Sequence, residues 1–337
     1  MIRFLARRVL QALPLLLVIS ALVFLLIHAA PGGPLAIYLS NPNVRPEDIE
    51  RLRRALGLDR PLWQQYWSWL AAFAQGDWGY SFSDGRPVGS RIVERIPATL
   101  ELVGASIAVA LALTLPAGII AAVRRGRAFD RITMGLTVAG ISLPAFWFGL
   151  LLQIVFAIDL GWLPSSGRTT PGWSGGSGGP GSGGSGGLIG FLSGDLIDHL
   201  QHLMLPVTVL AVVQAAAWSR YLRGSMIETL AQPFVLAARA RGLPERAVVL
   251  RHALRNAVGP VLAVVMVDAA LLASGAVVTE SVFAWPGLGS LFTEALARRD
   301  YSVLMALLML TSTTIVIFNV AADAAHALAD PRIAVAT

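Results

Sequence analysis

Residues 234–260 read FVLAARARGLPERAVVLRHALRNAVGP and lie between two apolar runs, each long enough to cross a bilayer. The first part is crowded with small residues: Ala237, Ala238, Ala240 and Gly242. Small side chains let another surface approach a helix backbone closely. Arg239 and Arg241 add charge that suits acidic groups. Leu243-Pro244-Glu245 then breaks the helix and restarts it, with Pro244 suited to the first helical position and Glu245 to the first turn. By residue type alone, a solvated loop that is basic because inner loops are basic is the plainer reading of the stretch. The pattern on either side decides between the readings.

The 337 residues are 55% hydrophobic and only 14% charged, too apolar for a chain with an ordinary solvated surface. There is no Cys, which excludes disulfides, thiolate metal sites and Cys nucleophiles. The net charge is +6 and every basic residue is Arg. The Arg residues cluster beside apolar runs, so membrane orientation explains them better than nucleic acid does. No phosphate-cradling GxxxxGK[ST] is present, and there is no Lys to complete one.

Outward from the central stretch, six spans are expected: residues 9–30, 99–123, 132–158, 203–222, 261–278 and 303–328. The first carries small residues at its end like a cleaved signal peptide, but its apolar core is too long, and it reads as a retained span. The third is interrupted by Ser142, Pro144 and Gln153, with Pro144 placed to kink it. Residues 31–98 form a long polar segment with helices expected over 46–58 and 61–75. Trp63, Trp67, Trp69, Trp78, Tyr66 and Tyr80 lie there. Such rings suit short helices on the outer membrane surface, or a docking surface for a soluble partner; composition does not separate the two. Residues 167–187 are a flexible Gly/Ser loop. Asp195, Asp198, His199 and His202 follow at helical spacing, as an amphipathic interfacial turn or, less well supported, a metal site. Residues 280–301 read as a short outer loop. With the N-terminus inside, 15 of the 26 Arg fall on inner segments and three on the two short outer loops. That bias supports six spans with both termini cytoplasmic.

Inside the spans, Asp268 is the strong ionisable group. It lines a path and attracts a peptide amino terminus, or it makes a structural hydrogen bond to a neighbouring helix. Gln153, Gln214 and Asn319 are weaker path candidates on the same logic.

Several elements, in order and spacing, resemble one family. They are Gly76-Asp77-Trp78-Gly79-Tyr80-Ser81-Phe82, Arg95-Ile96-Pro97-Ala98-Thr99-Leu100-Glu101-Leu102, Ser142-Leu143-Pro144, and Gly161-Trp162-Leu163-Pro164. Ala237-Ala238-Arg239-Ala240-Arg241-Gly242-Leu243, residues 280–289 (ESVFAWPGLG), Arg299-Asp300-Tyr301 and Asp330-Pro331-Arg332 complete the set. Nearly the whole chain is similar to the B-type permease subunit of dipeptide and oligopeptide ABC importers.

The resemblance implies an all-α integral membrane protein with the six-helix type I ABC importer permease fold and an extracytoplasmic helical segment after the first span. Its divisions are 1–30, 31–98, a five-helix core over 99–328 and a tail over 329–337. It places a coupling loop at about 223–258, where Phe234, Ala237, Ala238, Arg239, Ala240, Arg241, Gly242 and Leu243 meet an ATPase. Leu236 stands where many relatives carry Glu, and Leu254-Arg255 lacks a proline found in the family pattern. The implied partners are a second, C-type permease, two ATPase subunits or domains, an extracytoplasmic substrate-binding protein, peptide substrate and lipid, without nucleic acid. Trp78, Tyr80, Trp285 and Pro286 are the binding-protein docking candidates, with interfacial anchoring as the other reading. The chain itself is expected to be no enzyme and to bind no cofactor or metal, with ATP and Mg on the partner ATPases, in the inner membrane of a prokaryote. Importers of nickel, glutathione or another small solute are alternatives within the family. A stand-alone ion-coupled secondary transporter is the alternative from another class, and a membrane sensor that recruits a kinase is a further rival.

Overall fold

A computed structural model describes residues 2–30, 33–35, 39, 44–55, 57–170 and 188–329. Most of the Gly/Ser loop and the Asp330-Pro331-Arg332 motif lie outside these residues. The described chain is helical, with one isolated antiparallel bridge between Tyr80 and Pro87.

Helix α1 (Ile2–Ala29) is followed by two short helices, α2 (Pro46–Ala55) and α3 (Leu62–Ala74). The long helix α4 (Val88–Val123) leads through a tight turn to α5 (Ala128–Ser142). Helix α6 (Ala145–Leu152) continues as a π-helical stretch over Gln153–Asp159. Helix α7 (Leu188–Leu230) is followed by the short α8 (Pro233–Ala240). Helix α9 (Glu245–Ala273) contains a π-helical stretch at Val248–Ala253. The short helices α10 (Val277–Val282) and α11 (Leu288–Ala297) precede α12 (Tyr301–Ala329).

Among the described residues, five helices are long and apolar enough to cross a membrane, and α5 with α6 makes a sixth crossing if the bent pair counts as one. The break at Leu143-Pro144 is a 99° corner rather than a kink. Pro144 has no N–H to donate, and Leu143 and Pro144 are extended, so the helix stops and restarts. The ends of the neighbouring helices show that this bent pair crosses. Glu101, 13 residues into α4, holds Arg168, which lies beyond α6. At its C-terminal end α4 runs to Val123, just ahead of α5. From Glu101 to Val123 is about 33 Å at 1.5 Å per residue, close to the hydrocarbon thickness. The chain therefore enters α5 at one end of the bundle and leaves α6 at the other.

Helices α4 and α7 pack along each other, with α9 and α12 against them. Small residues permit the close approach, as expected where lipid supplies no hydrophobic drive. A methyl on Gly140 of α5 would stand 2.9 Å from the Ala216 Cβ of α7, and one on Gly118 of α4 would stand 2.9 Å from Leu222. Trp218, Leu222, Met226, Ala253 and Ala257 form the buried core where α7 meets α9. Helix α3 turns Tyr66 and Trp69 onto Phe24 of α1 and leaves Trp63 and Trp67 exposed.

Three expectations are corrected. Helix α4 begins at Val88, eleven residues ahead of the expected start at Thr99, with Pro97 in its interior. Its first turns bury Val88 and Ile92 against Leu288, Leu291 and Val303. The fourth and fifth spans likewise extend beyond their apolar runs, into α7 and α9. The expected outer loop over 280–301 instead completes α10, forms α11 and turns into α12.

Candidate functional site

The central stretch forms a two-sided projection. Gln232 is extended and Pro233 opens α8 at a position where no N–H is needed. Gly242 adopts φ +77°, the left-handed conformation that ends a helix without a Cβ clash. Pro244 is the N-cap of α9, one place earlier than expected, and Glu245 opens the new helix. The inner side of α8 buries Val235 and Ala238 on Val248, with Leu230 alongside. Phe234, Leu236, Ala237, Arg239, Ala240, Arg241, Gly242 and Leu243 are exposed. Ala238 is thus corrected: it packs on its own chain and offers no surface to a partner. Arg239 is already engaged within the loop, donating from Nε and Nη2 to Glu245 Oε2 and Oε1 at 3.2 and 2.7 Å.

The mid-span polar residues separate into two kinds. Asp268 Oδ2 accepts from Nε1 of Trp218, a fully buried indole on α7, at 2.7 Å. Gln153 Nε2 donates to the Ser165 and Val282 carbonyls at 2.7 and 3.0 Å and ties the exit of α6 to α10. Gln214 is half-buried on the same face of α7 as Trp218, four residues away. Asn319 is exposed on α12. These four residues are not brought into one cluster by the hydrogen bonds of the described chain.

At the far end of the bundle, the docking candidates also divide. Tyr80 is 65% exposed and Trp78 is half-buried against Phe73. Trp285 is corrected: it is wholly buried among Ala98, Leu102, Leu203 and Ala276, and its Nε1 donates to the Ala98 carbonyl at 2.8 Å. Pro286 is half-buried beside it. Glu280 is buried with them. It accepts from Thr99 Oγ1 at 2.9 Å and Ser290 N–H at 3.0 Å. Burial pushes its carboxyl up, against the backbone and hydroxyl donors that favour the charged form.

Two polar networks occupy this end, of which the sequence reading offered only Asp198 and His199, as an interfacial turn or a metal site. Asp300 accepts from Ser81 Oγ and from the N–H groups of Phe82 and Ser83, while Arg91 lies within 3.6 Å of Asp300, 3.5 Å of Asp84 and 3.3 Å of Glu294. Glu101 receives Arg168 at 2.7 Å and also pairs with His199, whose Nδ1 faces the Arg168 carbonyl. Asp198 holds Thr170 through its N–H and hydroxyl. Of the expected cluster, Asp198 and His199 therefore hold Thr170 and Arg168, and Asp195 lies outside the residues whose side chains are described. No grouping of three potential metal ligands occurs among the described residues. The signals were present as Arg91 and Asp300, but their pairing spans 209 positions and no local pattern announces it.

A family model described as "Binding-protein-dependent transport system inner membrane component" matches residues 114–335, and one described as "Binding-prot-dependent transport system membrane comp, N-term" matches residues 1–103. The chain is 38% identical over 336 residues to the di/tripeptide transport system permease protein of Pseudomonas aeruginosa (strain UCBPP-PA14), covering 99% of each chain. It is 37% identical over 333 residues to the glutathione transport system permease protein of Escherichia coli (strain K12), again with 99% of each covered. To the dipeptide transport system permease protein of the same strain it is 36% identical over 342 residues, with 99% of each covered. Helices long enough to span, an exposed projection at one end and full-length similarity to permeases agree, and the chain belongs to the binding-protein-dependent transport system inner membrane component family.

Proposed function

We propose that this chain is one of two permease subunits in an ATP-driven importer of short peptides. It forms half of a translocation path in the cytoplasmic membrane, with both termini inside. ATP is hydrolysed on partner subunits, with Mg there, and an extracytoplasmic binding protein delivers the substrate. The observation that carries the reading is α8. Its inner face is cemented to Val248 and its outer face, with Arg239, Arg241 and the small residues, is left open. Such a helix seats in a cleft of an ATPase, and closure of the ATPase pair moves the attached helices as rigid bodies. The names of the relatives support peptide as the substrate class, and glutathione, itself a tripeptide, is the second reading they favour. Tyr80 with Trp78 is the surface we assign to the binding protein, and Asp268 with Gln214 the polar part of the path.

Copurification from native membranes tests this. The native chain is expected to bring down a second permease and ATPases, and the Arg239→Glu/Arg241→Glu form to lose the ATPases. Glu245→Gln is the control for the internal pair that Arg239→Glu also breaks. Recovery of the chain alone, in detergents that preserve known complexes, would overturn the reading in favour of a stand-alone transporter.

A further inference from the structure

Besides its packing along α4, helix α7 connects the exposed α8 to the rest of the bundle through contacts on two faces about 100° apart around its axis. On one face lies α9. Ser225 Oγ donates to the Ala257 carbonyl at 2.9 Å, and Leu222 and Met226 share a buried core with Ala253 and Ala257. Together with the Val235–Val248 packing this makes α8, the end of α7 and the start of α9 one block. On the other face lies α5. Arg223 donates from Nε to Asp130 Oδ1 at 2.5 Å and from Nη2 to Asp130 Oδ2 at 2.8 Å. Asp130 Oδ2 also accepts from the Gly126 N–H at 2.8 Å, which fixes the turn between α4 and α5. The side chains are 22% and 5% exposed.

This fork-on-carboxylate geometry is stiff in both distance and angle, unlike the apolar contacts around it. Among the described residues it is the only side-chain hydrogen bond from α5 to another helix. Higher up, α5 touches α7 at Gly140 and Ala216 through bare backbone and methyl. Beyond the 99° corner, α6 carries Gly149 against Phe283 and Gln153 against Val282. Helix α6 thus links α5 to α10 and Phe283 at the opposite end of the bundle.

We infer that Arg223 and Asp130 are positioning residues for energy coupling: their ion pair is the strut through which movement of α8 reaches the bent α5–α6 pair. The inference rests on the role proposed above for α8. Without the strut, α8, α7 and α9 follow the ATPase while α5 and α6 lag. ATP is then hydrolysed without a matching opening of the path.

The test uses the whole complex with its own partner subunits and binding protein, reconstituted in phosphatidylethanolamine–phosphatidylglycerol vesicles. ATP hydrolysis and uptake of a mixture of radiolabelled dipeptides, tripeptides and glutathione are measured together. Asp130→Asn and Arg223→Gln each leave a buried charge unpaired, so the double variant, with none, is measured beside them. Assembly and hydrolysis within about twofold of native are expected for the double variant, with uptake per ATP lowered roughly tenfold. Each single variant that assembles is expected to fall as far as the double, because the pair acts as a unit. Native uptake per ATP in any assembled variant overturns the inference. So does failure of the double variant to assemble, which would make the pair a folding contact. If the native chain itself recovers no ATPases, the role of α8 falls first and the strut falls with it.

Discussion

Asp300 is 1% exposed and Arg91 7%, and the two ionisable side chains stand 3.6 Å apart. Their environment is closed by the turn from Ser81 to Ser83, whose hydroxyl and N–H groups point at the Asp300 carboxylate. Asp300→Ala removes the acceptor of three donors and one of the three acids around Arg91, and a loss of about 3–5 kcal/mol is expected, read as thermal unfolding of the purified chain in detergent. Asp300→Asn, which keeps acceptor capacity, is expected to lose about half as much. Asp84 in the same turn gives a pH signature. Partial burial pushes its carboxyl up, but the Arg86 N–H, the Ser81 hydroxyl and the Arg91 and Arg86 charges outweigh it and hold it below the ordinary aspartate range. A group depressed on folding stabilises at pH above its unfolded value, and the contribution is lost as pH falls through the folded value. Protection of residues 77–87 from hydrogen exchange, taken relative to the intrinsic rate at each pH, is therefore expected to be flat from neutral pH down to about pH 4 and to fall below it, with the fall blunted in Asp84→Asn. Gly287 is a steric counterpart. A methyl there would stand 2.4 Å from both Glu280 Oε2 and Thr99 Oγ1. Gly287→Ala is expected to cost about 1–3 kcal/mol by the same melting measurement.

Helix α8 has an inward and an outward face, and substitutions on the two should part company. Ala238→Leu forces three extra carbons between α8 and Val248, and it is expected to destabilise by about 1–3 kcal/mol and to lift the helix. Leu236→Ser, on the exposed side, is expected to melt like the native chain and still recover less ATPase in copurification. The break and restart of this element were legible in Leu243-Pro244-Glu245, because Pro punctuates a helix by its own backbone chemistry, whereas Gly242 read only as a small contact residue and its left-handed φ is what ends α8. The burial of Ala238 was not, since an alanine suits a close external contact and a close internal one equally. The boundaries of α4 failed for a related reason. Arg91, Glu94 and Arg95 look like the residues of a polar loop, but the helix runs through them, and Arg91 is buried among carboxylates. Trp285 misled in the opposite sense: an aromatic ring beside Pro and Gly suits an interface, and only the surrounding chain shows that it fills an interior site. Asp268 was legible as a group that needs a partner. That the partner is Trp218, fifty positions earlier on another helix, was beyond any local pattern.

Among the described residues, none of the five continuous candidate spans has more than 50% of its most apolar window buried within the chain, so other apolar surroundings must cover the rest. The arrangement of the ends is nevertheless fixed internally. Gly126, Asp130, Arg223 and α8 are held together at one end, while Glu101, Arg168 and His199 are held together at the other. From His199 to Arg223 along α7 is about 36 Å by helical rise, enough to put the two groups on opposite sides of a bilayer. The bent α5–α6 pair must then count as a crossing. A re-entrant pair would return residue 162 to the side of residue 127 and would strand Arg168 a membrane's width from Glu101. The excess of Arg on the segments around α8 supports the proposal that this end faces the cytoplasm. Because the chain has no Cys, single introduced thiols report sidedness without background. Ser90→Cys and Trp162→Cys are expected to react with a membrane-impermeant maleimide in intact spheroplasts, and Arg127→Cys and Arg246→Cys only after lysis. Labelling of Trp162→Cys together with Arg127→Cys would make the pair re-entrant and dissolve the six-span order. Labelling of Arg127→Cys and Arg246→Cys alone in intact spheroplasts would keep the six spans but invert them, leaving α8 on the side where no ATP is available to drive it.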